Sequence, residues 1–272
     1  MQRQFSLGST IAGILFAAIA LTAGATAMAQ DFDISTAESI KVKDSVVGLG
    51  IAFVPDYEGS EDYKAVPIIN ARLNLNNNMY IGFLGNTLRA NLVPSQEWNA
   101  GPLLRYRPER NDVDNAQVDA MKKVDAAIEA GGFVSYNLPD WTFSLSAAQD
   151  ISGGHDGFLL DLGAGYRYKL QADTMVTINA QTTYANSDYM HTYFSVDQGD
   201  HIRSGLRTYT ADGGLKDIGI GVAIQHSINR KWSIVGALRY TRLLGDAADS
   251  PVVDDVGSPN QMLTGAFVNY SF

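Results

Sequence analysis

From about residue 45 onward the sequence alternates apolar and polar side chains with a period of two. Trp141, Phe143, Leu145 and Ala147 interleave with Thr142, Ser144, Ser146 and Ala148. Leu160, Leu162, Ala164, Tyr166 and Tyr168 interleave with Asp161, Gly163, Gly165 and Arg167. Ile218, Ile220, Val222, Ile224 and Ile228 share one face, opposite Asp217, Gly219, Gly221, Ala223 and Gln225. A period of two puts one row of side chains on each face of a strand. Many of these segments run well beyond the roughly 5–6 residues of an ordinary strand. They match the roughly 9–11 residues that a tilted strand needs to cross a bilayer. The pattern predicts an all-β fold, a transmembrane antiparallel β-barrel with an apolar outer face. After the first 29 residues no segment approaches a continuous apolar run long enough for a membrane-spanning helix.

The ends of the segments carry rings: Trp98, Tyr106, Tyr136, Trp141, Tyr168, Tyr184, Trp232, Tyr240 and Tyr270. Such rings form the interfacial girdles of membrane barrels. In the last segment Met262, Thr264, Ala266, Val268, Tyr270 and Phe272 share one face. A closing strand ending in an aromatic is similar to the recognition signal read by the barrel assembly machinery, which makes that machinery an expected partner through Phe272.

Residues 1–29 read as an export signal. Arg3 supplies a positive start, Ile11 to Leu21 is an apolar run, and Ala27-Met28-Ala29 precedes Gln30 as a cleavage site between Ala29 and Gln30. Residues 30–44 are expected as a periplasmic N-terminal segment and 45–272 as the barrel. The chain has no cysteine, so disulfide and thiolate chemistry are absent. Its net charge of −9 argues against a nucleic-acid binder, which needs a basic face.

Barrel topology sets the strand count. Short connections fall at Asn76–Asn78, Pro94–Ser95, Pro139–Asp140, Gln171–Ala172 and Asn229–Arg230. Longer ones fall at 55–63, 108–124, 150–157, 185–213 and 243–261. Short turns belong on the periplasmic side and long loops outside. The two classes alternate correctly if Gly85-Asn86 is a two-residue hairpin joining strands at 79–84 and 87–93, which gives about twelve strands.

Several motifs, in order along nearly the whole mature chain, then carry a resemblance. They are Gly48-Leu49-Gly50 with Val54-Pro55-Asp56-Tyr57-Glu58-Gly59-Ser60, then Tyr63, Val66-Pro67, Gly101-Pro102 and Tyr106-Arg107. Next come Gly153-Gly154-His155-Asp156-Gly157, Tyr184 to Met190, and Tyr193-Phe194-Ser195-Val196, where Ser195 stands in place of a more usual Gly. Leu244 to Pro251 and Tyr270-Ser271-Phe272 close the series. The chain resembles the MipA/OmpV family of outer-membrane proteins. That resemblance implies a non-enzymatic barrel in the bacterial cell outer membrane, in contact with lipid and lipopolysaccharide. One member joins a lytic transglycosylase to a bifunctional penicillin-binding protein, so a scaffold for murein enzymes is the leading expectation. A small-solute channel or ligand-binding barrel affecting permeability and antibiotic susceptibility is the alternative.

Candidate sites fall into two groups. In the outer loops, Asp56, Tyr57, Glu58, His155, Asp156, Asp188, Asp246 and Asp249 are candidate ligand or ion contacts, with Glu61, Asp62, Asp254 and Asp255 nearby. Oxygen-rich loops suit Ca²⁺ or Mg²⁺, but no Asp-x-Asp-x-Asp-Gly loop occurs, and acidic loops are more often simply solvated. His191 and His201 share a loop with Asp188, Ser195 and Asp197, a composition from which a His–Asp–Ser set can be drawn, although no spacing requires it. No catalytic residue, metal or cofactor is expected. On the inward faces, Arg72, Arg89, Arg105, Arg107, Glu129, Asp161, Arg167 and Arg239 form a candidate polar network. Twelve strands lie between barrels filled by side chains and those that leave a channel. The six arginines therefore suit either an ion-paired plug or the lining of a narrow anion path.

Overall fold

The computed structural model describes residues 44–272. The export signal and most of the proposed periplasmic segment lie outside them. Twelve antiparallel strands close into one barrel, each bonded to its sequence neighbours, with β1 sealing against β12. They are β1 (Val46–Pro55), β2 (Tyr63–Asn74), β3 (Tyr80–Leu84), β4 (Thr87–Asn91), β5 (Trp98–Arg107) and β6 (Ala127–Asn137). There follow β7 (Trp141–Asp150), β8 (Phe158–Gln171), β9 (Thr174–Ala185), β10 (Gly214–Ser227), β11 (Trp232–Leu243) and β12 (Asn260–Ser271). The closing ladder runs from Val46 opposite Ser271 to Phe53 opposite Thr264. Closure leaves no edge strand, as a lipid-facing backbone requires. No helix among the described residues is long and apolar enough to cross a membrane.

The alternation places Leu49, Ile51, Phe53, Leu162, Ile218, Ile220 and Ile224 outward and exposed, where lipid covers them. Three aromatic pairs mark the periplasmic rim. Trp98 faces Tyr136, Trp141 faces Tyr166, and Trp232 faces Tyr270, with ring centroids 4.7, 4.9 and 5.0 Å apart. Each pair consists of direct register partners on adjacent strands. Directly opposed rings on neighbouring strands contribute up to about 1 kcal/mol.

The Gly85-Asn86 hairpin forms, with Gly85 at φ +59°. Its strands have five residues each, while β2 beside it has twelve. The wall is therefore low there. Gly85 N donates to Ile69 O at 3.0 Å, so the polar groups of Ile69 face β3. Pro67, two residues before Ile69, points its nitrogen to the same side, above the hairpin tip. A residue without an N–H suits that unpaired stretch of β2.

The lipid face makes a simple test. Ile220→Arg, at mid-height of β10, is expected to cost about 2–4 kcal/mol, while an arginine at lumen-facing Gln225 costs far less. Urea unfolding in lipid or detergent reads the difference.

Candidate functional site: a lid joined to a charged lumen

The long loops do not remain solvated tails. They fold over the outer mouth and build an apolar core of their own. Tyr57, Val113, Val118, Met121, Tyr189, Met190, Tyr193, Phe194, Leu206, Val252 and Val253 are buried together there with Leu159 and Leu243 of the wall. Five short helices carry the lid: α1 (Ala116–Asp119), α2 (Ser187–Phe194), α3 (Gln198–Ser204), α4 (Gly245–Ala248) and α5 (Pro251–Asp254).

Helix α2 is the centre of the lid. Asn186 caps its start by accepting from Tyr189 N, and Asp188 lies in its first turn, where the dipole favours an acid. Tyr189, Met190, Tyr193 and Phe194 are its buried residues, and their helical spacing puts them on one face. The carbonyls at its C-terminal end lack helical partners, and neighbouring loops supply them. Arg110 donates to Tyr193 O at 2.8 Å and Ser250 Oγ to Phe194 O at 2.6 Å. Other loops are tied similarly. Asp114 N donates to Asp56 Oδ2 at 2.9 Å, Asn115 Nδ2 to Val256 O at 3.2 Å, and Lys122 N to Asp200 Oδ1 at 2.6 Å.

Below α2 lie the charges. Glu129 is fully buried. It accepts from Arg105 Nη1 at 3.2 Å, Arg107 Nε at 2.7 Å and His155 Nε2 at 3.1 Å. His155 Nδ1 accepts from Gly157 N at 2.9 Å, which assigns the ring proton to Nε2, the nitrogen facing Glu129. Arg105 also donates to Asp161 Oδ2 at 3.0 Å, and Asp161 takes Ser146 Oγ and Thr183 Oγ1. A second group stands beside the first. Lys216 Nζ bonds Glu58 Oε1 and, at 2.6 Å, Asp217 Oδ2, while Tyr189 Oη donates to Glu58 Oε2 at 2.6 Å. The guanidinium of Arg107 lies 5.0 Å from the centre of the Tyr189 ring, joining the two groups. Arg239 bonds Gln181 and lines the same space. Arg105, Arg107, Lys216 and Arg239 thus balance Glu58, Glu129, Asp161 and Asp217.

The remaining lumen arginines are apart from this layer. Arg72 bonds Asn74 and lies over Tyr80, Arg89 lies 5.5 Å from the centre of the Phe133 ring, and Arg167 bonds Leu138 O and Pro139 O at the periplasmic turn. Of the outer-loop candidates, Asp56, Tyr57, Glu58 and His155 are buried in the lid and its base. Asp156 and Asp249 are exposed, Asp188 stays at the start of α2, and Asp246 accepts from Asp212 N. Asp254 and Asp255 lie near Arg207. His191 approaches Asp212, His201 bonds Leu206 O, and Ser195 Oγ accepts from Ala211 N, so each has a separate partner. Among the described residues no group of His, Asp or Glu has the arrangement to hold a metal.

Sequence reasoning missed Lys216, Tyr189 and Tyr193. Strict alternation from outward-facing Ile218 sends Lys216 to the lipid. The register slips between Leu215 and Asp217, and both Lys216 and Asp217 turn inward. A lysine facing lipid in an otherwise apolar row was the signal that a bulge lies there.

Burial would raise the Glu58 carboxyl, but the Lys216 and Arg107 charges hold it below its ordinary value. Burial pushes Tyr189 well above its own, so its hydroxyl keeps the proton it donates. A depressed carboxyl stabilises the fold above its unfolded value of about 4.3 and loses that contribution as pH falls through the folded one. Amide exchange in 187–194 is accordingly expected to stay slow from neutral pH to about pH 4 and to accelerate below it. Lys216→Met leaves two buried acids without their cation and should cost about 3–5 kcal/mol in urea unfolding. Replacing exposed Arg242 with Met should change little.

Fold, girdles and lid together define an outer-membrane β-barrel whose outer mouth is covered. Residues 47–272 match the family described as MltA-interacting protein MipA, and the chain belongs to that family. It is 32% identical to outer membrane protein OmpV of Vibrio cholerae over 70% of this chain and 69% of that one. It is 25% identical to the MltA-interacting protein of Escherichia coli over 76% of this chain and 82% of that one. Among solved structures, the NanC porin aligns over 84% of this chain and 100% of its own, with a TM-score of 0.46 and 10% identity.

Proposed function

We propose that this outer-membrane protein is a non-enzymatic, closed barrel that anchors murein-cleaving and murein-synthesising enzymes at the membrane. The observation that carries the reading is the lid. Packed loops and a paired charge layer cover the outer mouth, an arrangement that suits attachment better than solute flow. Kinship with a relative named for interaction with MltA supports the partner class. The docking surface in this reading is the periplasmic rim with residues 30–44. Each turn is short, so the enzymes bind through a small interface, below about 1,000 Å² and transient. Pull-down from solubilised envelopes tests the proposal. A lytic transglycosylase or bifunctional penicillin-binding protein should co-purify above a control barrel, and recovery no higher than the control overturns it. Planar-bilayer recording tests the competing channel reading: the expected trace is silent, and steady ohmic steps would favour the channel.

A further inference from the structure

The outward row of β11 departs from the apolar pattern of the lipid face at its outer end. Arg239 and Thr241 line the lumen, so parity sends Leu238, Tyr240 and Arg242 outward. Tyr240 is one of the exposed rings of the outer rim, with Tyr63 and Tyr184. Arg242 is exposed, two residues beyond that ring, and stands at headgroup height where the 243–261 loop begins. Other arginines near the outer mouth are matched by acids: Arg105 and Arg107 by Glu129, Arg203 by Asp200, and Arg207 by Asp254 and Asp255. Arg242 has no carboxylate partner among the described residues. Its Nη1 donates to the neutral amide Oδ1 of Asn260, its register partner on β12, at 2.7 Å. Tyr240 Oη donates to the same oxygen at 2.7 Å, so one amide holds cation and ring side by side. Bonding through Nη1 leaves the Nε–Nη2 edge of the guanidinium uncommitted, and that fork matches two oxygens of a phosphate.

Below the cation the surface is apolar. Ile218 lies opposite Arg242 on β10, while Ile220 and Met262 flank Tyr240 from β10 and β12. All three are exposed. Lower still, Gly236 and Ala266 are register partners, and a Cβ on Gly236 would meet nothing within 4 Å. Two small residues side by side leave a hollow in the lipid face, between exposed Leu238 above and Ile234 below.

We infer that this strip of β10–β12 is a binding site for a phosphorylated, multiply acylated glycolipid, the lipopolysaccharide of the outer leaflet. A phosphate takes the open fork of Arg242, and acyl chains descend over Ile218, Ile220 and Met262 into the hollow at Gly236 and Ala266. Cation, ring, aliphatic row and hollow follow one another in the order of phosphate, interface and chain in such a lipid. The site is independent of the anchoring role.

Native mass spectrometry of the folded full-length mature barrel, titrated in detergent with hexa-acylated lipid A, tests this. Lipid A stripped of its phosphates and phosphatidylglycerol are the comparisons. Saturable retention of lipid A is expected, about tenfold tighter than either comparison. Arg242→Gln should weaken it about tenfold, and Arg242→Lys, which keeps the charge and loses the fork, severalfold. Gly236→Leu fills the hollow without touching a charge and should also weaken it severalfold. Arg230→Gln, at an exposed periplasmic turn, should leave it unchanged. Heat-modifiable migration on gels confirms that each variant is folded. If Gly236→Leu does not fold, the Arg242 variants decide alone. The inference is overturned if lipid A does not saturate, if dephosphorylated lipid A or phosphatidylglycerol binds as tightly, or if folded Arg242→Gln retains lipid A like the parent.

Discussion

The burial of Glu129 beneath the lid is the constraint around which the rest is arranged. A carboxylate with no exposed surface is costly unless its oxygens are paired and its partners are themselves held. Here three donors from two elements meet it: Arg105 and Arg107 from β5, and His155 from the β7–β8 loop. Meeting it fixes the tautomer of His155 and draws that loop inward. Arg107 and Lys216 then sit beneath Tyr189, whose hydroxyl reaches Glu58 of the first loop. Wall and lid are therefore one structure. Moving α2 away would expose an apolar face and uncover acids that need their cations.

This coupling changes what the barrel is suited to do. Twelve strands enclose enough space for a narrow path, and six inward arginines are compatible with one. Yet two of those arginines, Arg105 and Arg107, are committed to Glu129, and Arg239 is committed to Gln181. The outer side presents packed loops rather than an opening. The periplasmic side keeps Arg72, Arg89 and Arg167 among polar lumen walls, above a rim of paired rings. Among the described residues the barrel is asymmetric along its axis, with packed loops at the outer end and short turns at the periplasmic end.

The alternating rows from β5 to β12 were legible because each has one face against lipid, and register is strongly specified where one face must be apolar. Even the short β3–β4 hairpin was readable, because Gly85-Asn86 is turn chemistry and the alternation of long and short connections demanded it. The inward placement of Arg72, Arg89, Arg105, Arg107, Glu129, Asp161, Arg167 and Arg239 followed from the same parity. The lid was not legible. Its acidic composition reads as solvated loop, and the apolar residues that bury Tyr57 and Tyr189 come from four separate loops. Lys216 was hidden by a one-residue bulge, which reverses the facing of every residue beyond it.

Local sequence thus determined the barrel, its strand number, its orientation and the face on which each strand residue lies. It could do so because a bilayer imposes a period and a length on each strand separately. Only the tertiary structure decided which charges meet, that Glu58 and His155 leave the loops for the lumen mouth, and that the mouth is covered. Those outcomes depend on distant segments converging, such as Glu58 with Lys216 or Arg110 with Tyr193, and no repeating interval along the chain encodes such a meeting.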